Sequence, residues 1–456
     1  QRQMCIRDRQ KMKIVIAGAG EVGTHLAKLL SKEGLDIILI DNDENKLHAI
    51  DANYNLMTMT GSPTAFKVLK NAKVDKCDLF IAVTPFETRN IVSCSFAKKL
   101  GARKTVARID NYEFLKPEYQ QYFAEMGVDD LIYPENFASL EIKTALQHSW
   151  ARNWFELYNG ELILTGIKLR ENCQIVGMKL KDLAMEGHPF HICAIRRQHE
   201  TIIPRGDDHL ELNDIAYFIY QPDSMKYIMQ ICGKQEKSIK KILIMGGSRI
   251  GVQLANMLDD SYKIKFIEND REKCYKLVER IPAYCSVANG DARDIDLLRE
   301  EGIADYDAFI ALTDSSETNI LACLTAKEFG VWKSIAEVEN IQFIAEAENL
   351  NIGTVINKKL LASSKIFQIL LDFDSSNAKC LALADAEVAE ITASEKSKIT
   401  KAPVKDLKLS HDMTIGGLTR NGRGMLVNGQ TQIQPGDHVL VFCLSGAIHK
   451  IEKMFH

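Results

Sequence analysis

The sequence predicts an α/β fold: two doubly wound parallel-sheet Rossmann-like domains, each followed by a small α+β domain, the whole a tandem duplication. Three observations predict it. Short segments such as IVIA (14–17) and FIAVT (80–84) are apolar on both faces, the pattern of parallel strands covered by helices on each side. KMKIVIAGAGEVG (11–23) and KKILIMGGSRIG (240–251) both read as apolar strand, glycine turn and amphipathic helix. Later blocks keep the phase, since VTPFETRNI (83–91) falls on LTDSSETNI (312–320) and VARIDNYEF (106–114) on IAEVENIQF (335–343), at offsets of 228 or 229 residues.

In the first Rossmann-like unit the expected strands are 13–17, 36–40, 56–60, 79–83 and 105–108, with helices starting near Val22, Glu44, Ala65 and Asn90. The intervening segments repeat as well. KLKDLAM (179–185) aligns with PVKDLKL (403–409), and IIPRGDDHLELNDIAYFI (202–219) with MLVNGQTQIQPGDHVLVF (425–442), placing Gly206 on Gly429 and Asp214 on Asp437. Alternation in HICAIRR, AYFIY and HVLVFC, with turns at PRGDD and QPGDH, predicts a small antiparallel sheet. A helix over 136–154 precedes the first small domain, with Leu140, Ile142, Ala145, Leu146 and Trp150 available for packing.

The expected boundaries are therefore 12–137 and 240–365 for the Rossmann-like domains and 138–232 and 366–456 for the small ones, with a polar linker at 234–241. Residues 1–11 lack any period and read as an extraneous extension.

Composition narrows function. A net charge of -4 among 57 basic and 61 acidic residues argues against a general nucleic-acid binder, which needs a broad basic surface. No uninterrupted apolar run approaches the length of a membrane span, so the expected location is cytoplasmic. Eleven cysteines without a CxxC read as reduced core residues.

The strongest chemical signal is GAGEVG, comprising Gly18, Ala19, Gly20, Glu21, Val22 and Gly23. Gly18 suits the tight turn, Gly20 lets the backbone approach a pyrophosphate, and Gly23 lets helix and sheet pack closely. The anion would sit at the helix N-terminus, where free N–H groups point at it. Asp41 ends the next strand, placed to accept hydrogen bonds from a ribose diol and to repel a 2′-phosphate, which favours NAD(H).

The second loop keeps Gly246 and Gly251, with Arg249 and Ile250 between them, but has Ser248 at the middle position, where two readings are open: its Cβ crowds a pyrophosphate, or its small hydroxyl donates a hydrogen bond to one. Glu268 takes the ribose-acid position there. Further candidates are Thr60, Gly61 and Ser62 with Gly290 and Asp291 after the third strands, Val83 and Thr84 with Thr313 after the fourth, and Arg108 after the fifth, where the second copy has Glu337. No catalytic residue and no metal site is expected: the histidines, including His188 and His191 beside Pro189, have no partner constellation, and HEXXH, GxxxxGK[ST] and CxxC are absent.

GAGEVG with Asp41, the TPFETRN and TDSSETN blocks, Arg108, and the KDL, PRGD and QPGDH signatures together resemble the tandem regulator-of-potassium-conductance architecture, over residues 12–456. The resemblance implies a non-enzymatic cytosolic protein that binds NAD(H), ATP or ADP, forms a homo-oligomeric ring, tetrameric in the simplest case, and docks peripherally on a membrane-embedded potassium-translocating subunit. It implies phosphate-loop roles for Gly18, Gly20 and Gly23, a ribose role for Asp41 and crevice roles for Thr84 and Arg108, with corresponding roles for Gly246, Gly251, Glu268 and Thr313. The residues alone leave two alternatives open: a soluble NAD-dependent oxidoreductase, and a regulator of a different ion transporter.

Overall fold

The structure, a computed structural model, describes residues 12–31, 35–51, 54, 56–185, 187–198, 200–373, 379–383, 386–395, 397–444 and 454–455. The expectation for residues 1–11 lies outside them. The first sheet is built from β1 (Lys13–Ala17), α1 (Glu21–Ser31), β2 (Asp36–Asp41), α2 (Glu44–Asp51), β3 (Met57–Thr60), α3 (Phe66–Asn71), β4 (Leu79–Ala82), α4 (Glu87–Leu100), β5 (Lys104–Arg108), α5 (Pro117–Glu125) and β6 (Asp130–Ile132). Its strands run parallel in the order β3-β2-β1-β4-β5-β6, so the strand order reverses between β1 and β4 and opens a crevice at their C-terminal ends. Every residue of β4 and all but the first of β1 are buried, because helices cover both faces.

The first small domain follows α6 (Pro134–Gln147) and holds β7 (Asn153–Leu157), β8 (Leu162–Lys168), α7 (Leu180–Met185), β9 (His191–Arg197), β10 (Glu200–Ile202), β11 (Ile215–Tyr220) and α8 (Met225–Ile231). Its sheet is antiparallel, in the order β10-β9-β11-β8-β7.

The second copy repeats the plan. β12 (Lys241–Met245), α9 (Arg249–Met257), β13 (Lys263–Glu268), α10 (Arg271–Val278), β14 (Ser286–Asn289), α11 (Ile295–Glu300), β15 (Ala308–Ala311), α12 (Ser316–Glu328), β16 (Lys333–Glu337), α13 (Ile344–Asn349) and β17 (Thr354–Ile356) form a sheet ordered β14-β13-β12-β15-β16-β17. Then α14 (Lys358–Phe373) leads into β18 (Lys379–Leu383), β19 (Ala386–Thr392), β20 (Met413–Arg420), β21 (Arg423–Leu426) and β22 (His438–Leu444).

The molecule divides into two compact units that do not follow the chain. One holds the first sheet together with residues 359–373 of α14; the other holds α6 from Glu135 onward, both small domains and the second sheet. Each helix that leaves a parallel sheet is thus grouped with the other copy's sheet. Amphipathicity explains how a helix can be exchanged in this way: α14 buries Ala362, Ser363, Ile366, Phe367 and Leu370 on one stripe, and that stripe needs only a complementary apolar surface. In the second unit the two small domains share a core, in which Leu164, Cys193 and Ile219 pack with Val388, Leu440 and Phe442.

Several local expectations change. β6 was not expected from the pattern, because a three-residue edge strand leaves too short a periodic signal, and neither was α5, none of whose residues is buried. The helix expected over 136–154 ends at Gln147, and Trp154 is a strand residue of β7. Of its proposed packing residues Ile142, Ala145 and Leu146 are buried, but Leu140 is 52% exposed and Trp150 lies beyond the helix end. KDL forms α7 in the first copy but only a short 3-10 turn, Val404–Asp406, in the second. The nine described cysteines Cys77, Cys94, Cys173, Cys193, Cys232, Cys274, Cys285, Cys323 and Cys443 are free thiols, all buried except Cys285, which is half-buried. Among the described residues no helix is long and apolar enough to cross a membrane.

The aligned Asp214 and Asp437 are turn anchors of the small domains. Each is buried and takes both arms of an arginine, Arg197 at 3.0 and 2.8 Å and Arg420 at 2.8 and 2.7 Å. This planar two-point pairing explains why both copies carry the same pair.

Candidate functional site

The glycine loop between β1 and α1 is built by three different constraints. Gly18 sits at φ +114°, where its N–H donates to Ile40 O at 2.8 Å and a Cβ would meet the Thr84 amide at 2.9 Å. At Gly23 a Cβ would lie 1.8 Å from Gly18 O, so no side chain fits. Gly20 is different: nothing lies within 4 Å of a Cβ placed there. Neither the turn nor the packing demands glycine at position 20.

Asp41 closes the loop from below. Its carboxylate accepts from Ala19 N–H at 2.6 Å and from Asp43 N–H at 2.9 Å, one bond to each oxygen. Each carboxylate oxygen can accept more than one hydrogen bond, so the geometry leaves capacity for a ribose diol. Gly61 N–H donates to Asp41 O at 2.9 Å, which brings Thr60, Gly61 and Ser62 beside the acid. Val83 is buried beneath the loop, with its methyl 3.3 Å from where a Gly23 Cβ would be.

Across the crevice the ends of β4 and β5 are fastened by Asn90, a fully buried residue of α4. Its carbonyl oxygen accepts from Thr84 N–H (2.9 Å) and Thr84 Oγ1 (2.6 Å), and its amide donates to Thr84 O and Arg108 O, both at 2.9 Å. The Thr84 hydroxyl is therefore committed to Asn90, and the residue is only 6% exposed. Arg108 pairs with Asp110 at 3.2 Å, while its buried Nε has no hydrogen-bond acceptor among the described residues. Glu87 Oε2 accepts from the amides of Asp110 and Asn111, both at 2.9 Å, which fixes the loop beyond β5. Glu21 forms an ion pair with Lys359 of α14.

The sheet order, the glycine turn and the acid at the end of β2 coincide with a family pattern. Residues 14–134 and 242–358 match the TrkA-N domain, and residues 164–233 and 388–456 match the TrkA-C domain. The chain belongs to the TrkA family. It is similar to the Trk system potassium uptake protein TrkA of Haemophilus influenzae, at 31% identity over 97% of this chain and 98% of that one. It is also similar to the Trk system potassium uptake protein TrkA homolog 1 of Methanosarcina mazei, at 29% identity over 97% and 100%. Among solved structures the GsuK channel superposes with TM-score 0.61 and 14% identity, covering 98% of this chain and 79% of that one. The GsuK channel bound to NAD gives 0.59 at the same identity and coverage. At that identity the likeness establishes the fold.

The two TrkA-N copies share a frame but not a loop. In the second, Gly246 again has positive φ, +94°, and Glu268 accepts from the Gly247 and Asp270 amides at 2.7 and 2.9 Å, as Asp41 does in the first. Asn319 repeats Asn90, bonding Thr313 and Glu337 O. Gly290 N–H donates to Glu268 O at 3.0 Å, and Asp291 pairs with Arg293.

Ser248 changes the chemistry. Its Oγ accepts from Gly251 N–H at 3.3 Å and caps α9, using an amide that an anion would otherwise take. Helix α6 lies against the same helix end, where Glu135 pairs with Arg249 at 3.5 Å, Ser139 Oγ donates to Ile250 O at 2.9 Å, and Asn136 accepts from Gln253. At the fifth strand Glu337 is buried and pairs with Lys358 at 3.1 Å; burial pushes its carboxyl up, and Lys358 opposes the rise. The first copy presents an arginine and an open loop, the second a buried acid and a self-capped helix.

Asn90 and Asn319 are the residues that sequence reasoning passed over as site residues. The signal was present, since both occupy the same place in the aligned TRNI and ETNI blocks, but a polar residue within a helix reads as a surface position until its burial is known. His188 lies against Tyr227, and burial lowers the His191 imidazole to about 4. Among the described residues no group of three or more His, Cys, Asp or Glu side chains is placed to hold a metal ion.

Proposed function

We propose that this chain is the NAD(H)- or adenine-nucleotide-binding regulatory subunit of a membrane potassium uptake system, acting by binding and not by catalysis. The observation that carries this reading is the first loop: Gly18 and Gly23 are required by the fold, whereas Gly20 faces open space and is explained by the approach of a pyrophosphate. Asp41 beneath it takes the ribose, and relatives of nearly full length are potassium uptake proteins.

Nucleotide bound across the β1/β4 crevice would shift a membrane partner between states only through a difference in affinity between them. A coupling of about 1–3 kcal/mol changes the balance roughly fivefold to 150-fold. Asp41→Ala tests the ligand assignment. Removing a charged acceptor should cost about 1.5–3 kcal/mol of NADH affinity, about tenfold or more by calorimetry, and also loosen the loop held through Ala19 N–H. Unchanged affinity would sink the ribose role. Steady production of NADH by the purified wild type from a small-molecule panel would instead favour an oxidoreductase.

The reading also requires assembly into a homo-oligomer. Both copies leave apolar side chains exposed at matching positions: Val92 (39%) and Leu321 (63%) on α4 and α12, and Tyr112 (44%) and Ile341 (41%) beyond the fifth strands. Repeated apolar exposure of this kind marks surfaces that a partner covers. Light scattering at micromolar concentration should give a mass of several subunits, and a 51.3 kDa monomer with and without nucleotide would count against a ring.

A further inference from the structure

The second unit contains a cavity of about 490 Å³ between the first small domain and the β16/β17 edge of the second sheet. It is lined by Arg152, Lys168, Arg170, Lys234, Lys327 and Lys333, and no carboxylate is among its described lining residues. The nearest acids are few. Glu141 of α6 lies near Lys333, and Glu348 of α13 is engaged by Arg196 at 2.9 Å while also facing Arg152 and Lys168.

The cations bond neutral groups instead. Lys333 Nζ donates to Ala151 O at 3.0 Å, Lys168 Nζ to Glu348 O at 3.2 Å and Lys234 Nζ to Lys168 O at 2.8 Å, while Lys327 reaches Asn351 O. The Asn351 side-chain oxygen accepts from both Arg152, at 3.2 Å, and Arg170. A single amide oxygen serving two guanidinium groups is a poor substitute for an anion.

The cost registers in the charges themselves. Burial and mutual repulsion lower Lys333 to about 7 and Lys168 to about 8, and the same two causes lower Lys234, Lys327 and Arg152. Lys333 and Lys168 are nearly inaccessible, so solvent cannot screen them as it screens surface lysines. Folding has gathered six basic side chains from segments far apart in sequence around a cavity whose own lining carries no carboxylate, with Glu141 and Glu348 the acids that face them from outside it.

We propose that this cavity is a second anion site, distinct from the glycine loops, which binds a small molecule carrying two or more phosphate groups. Its volume lies within the range of small-molecule pockets. Both guanidinium groups present planar forks suited to phosphate oxygens. Trp332, 46% exposed, and Trp150 line the wall, and an indole face at the rim suits the base of a nucleoside diphosphate. Occupancy there would brace the small domain against the second sheet. The proposal stands on the cavity alone and is independent of the first-loop assignment.

Two of the chain's three tryptophans, Trp150 and Trp332, line the cavity, so intrinsic fluorescence reports on it. Inorganic pyrophosphate added to the full-length protein should change tryptophan emission saturably and raise Tm, with an affinity that falls as salt rises. Gly20→Val should leave this binding intact. Arg170→Gln combined with Lys234→Gln, both on partly exposed side chains, should weaken it at least tenfold, and Lys234→Gln alone supplies a milder version of the same loss. ADP binding more tightly than pyrophosphate at this site would assign a nucleoside diphosphate, and equal affinity a bare polyphosphate. The proposal is overturned if millimolar pyrophosphate changes neither the emission nor the Tm of the wild type, if the double variant binds it as the wild type does, or if Gly20→Val abolishes the response.

Discussion

Gly20→Val should remove nucleotide binding at the first loop while the protein folds and melts as the wild type does. The two halves of that expectation rest on the same observation. A Cβ at position 20 meets nothing within 4 Å, and the backbone there is not in the left-handed region, so a side chain can start from it without strain. What it fills is the space through which, on the proposed function, a pyrophosphate would approach the N–H groups at the start of α1. Binding through those amides demands close approach of the backbone, so the loss should be near-complete, a hundredfold or more in order of magnitude, equivalent to about 2.8 kcal/mol. Calorimetry with NADH and with ADP measures it directly. In cells whose potassium uptake depends on this protein, the nucleotide response of uptake should disappear. Wild-type affinity in the variant would overturn the phosphate-loop assignment; lost affinity with an unaltered uptake response would overturn the regulatory one.

Asn90→Leu should have the largest effect on stability. Leucine is close to asparagine in shape, so the change isolates the loss of polar contacts: Thr84 N–H, Thr84 O and Arg108 O lose the partner that joins the ends of β4 and β5. A buried group left without a partner costs about 1–3 kcal/mol, and with several orphaned together the first sheet should lose more than ~3 kcal/mol. Urea unfolding followed by hydrogen exchange across β4 and β5 reads this out, with the second sheet as an internal reference. Asn319→Leu should transfer the damage to β15 and β16, where Asn319 makes the same bonds. A transition coincident with the wild type would show that the clamp is dispensable. Asn90 is a positioning residue: nucleotide affinity should fall with it, and at low temperature, where the fold is retained, the loss should be smaller than that from Gly20→Val.

The duplication, the strand–turn–helix units and the acids at the ends of β2 and β13 were legible because each is written in contiguous residues. A parallel strand covered on both faces is a short apolar run, and a phosphate loop is three glycines at fixed spacing. Strand ends were read to within one residue for β1, β2 and β4, since apolar runs stop where burial stops. The sixth strand of each sheet escaped because three residues at an edge carry no period. The Ser248 substitution was legible as a departure from the glycine pattern, and the structure gives its consequence: the hydroxyl caps α9 through Gly251 N–H.

The sequence by itself determined the two-copy plan, the first five strands and the four helices between them, and the first glycine loop with its acid, because these depend on local period, turn chemistry and repeat phase. Only the tertiary structure decided which sheet each departing helix joins, which polar residues are buried clamps, and that Arg152, Lys168 and Arg170 share a cavity with Lys327 and Lys333. The physical reason is common to all three. An amphipathic stripe says that a helix needs a partner but not which one, and a lysine or asparagine in a sequence carries no mark of its burial. Charges more than 150 residues apart become neighbours only when the packing of one domain against another removes the water between them.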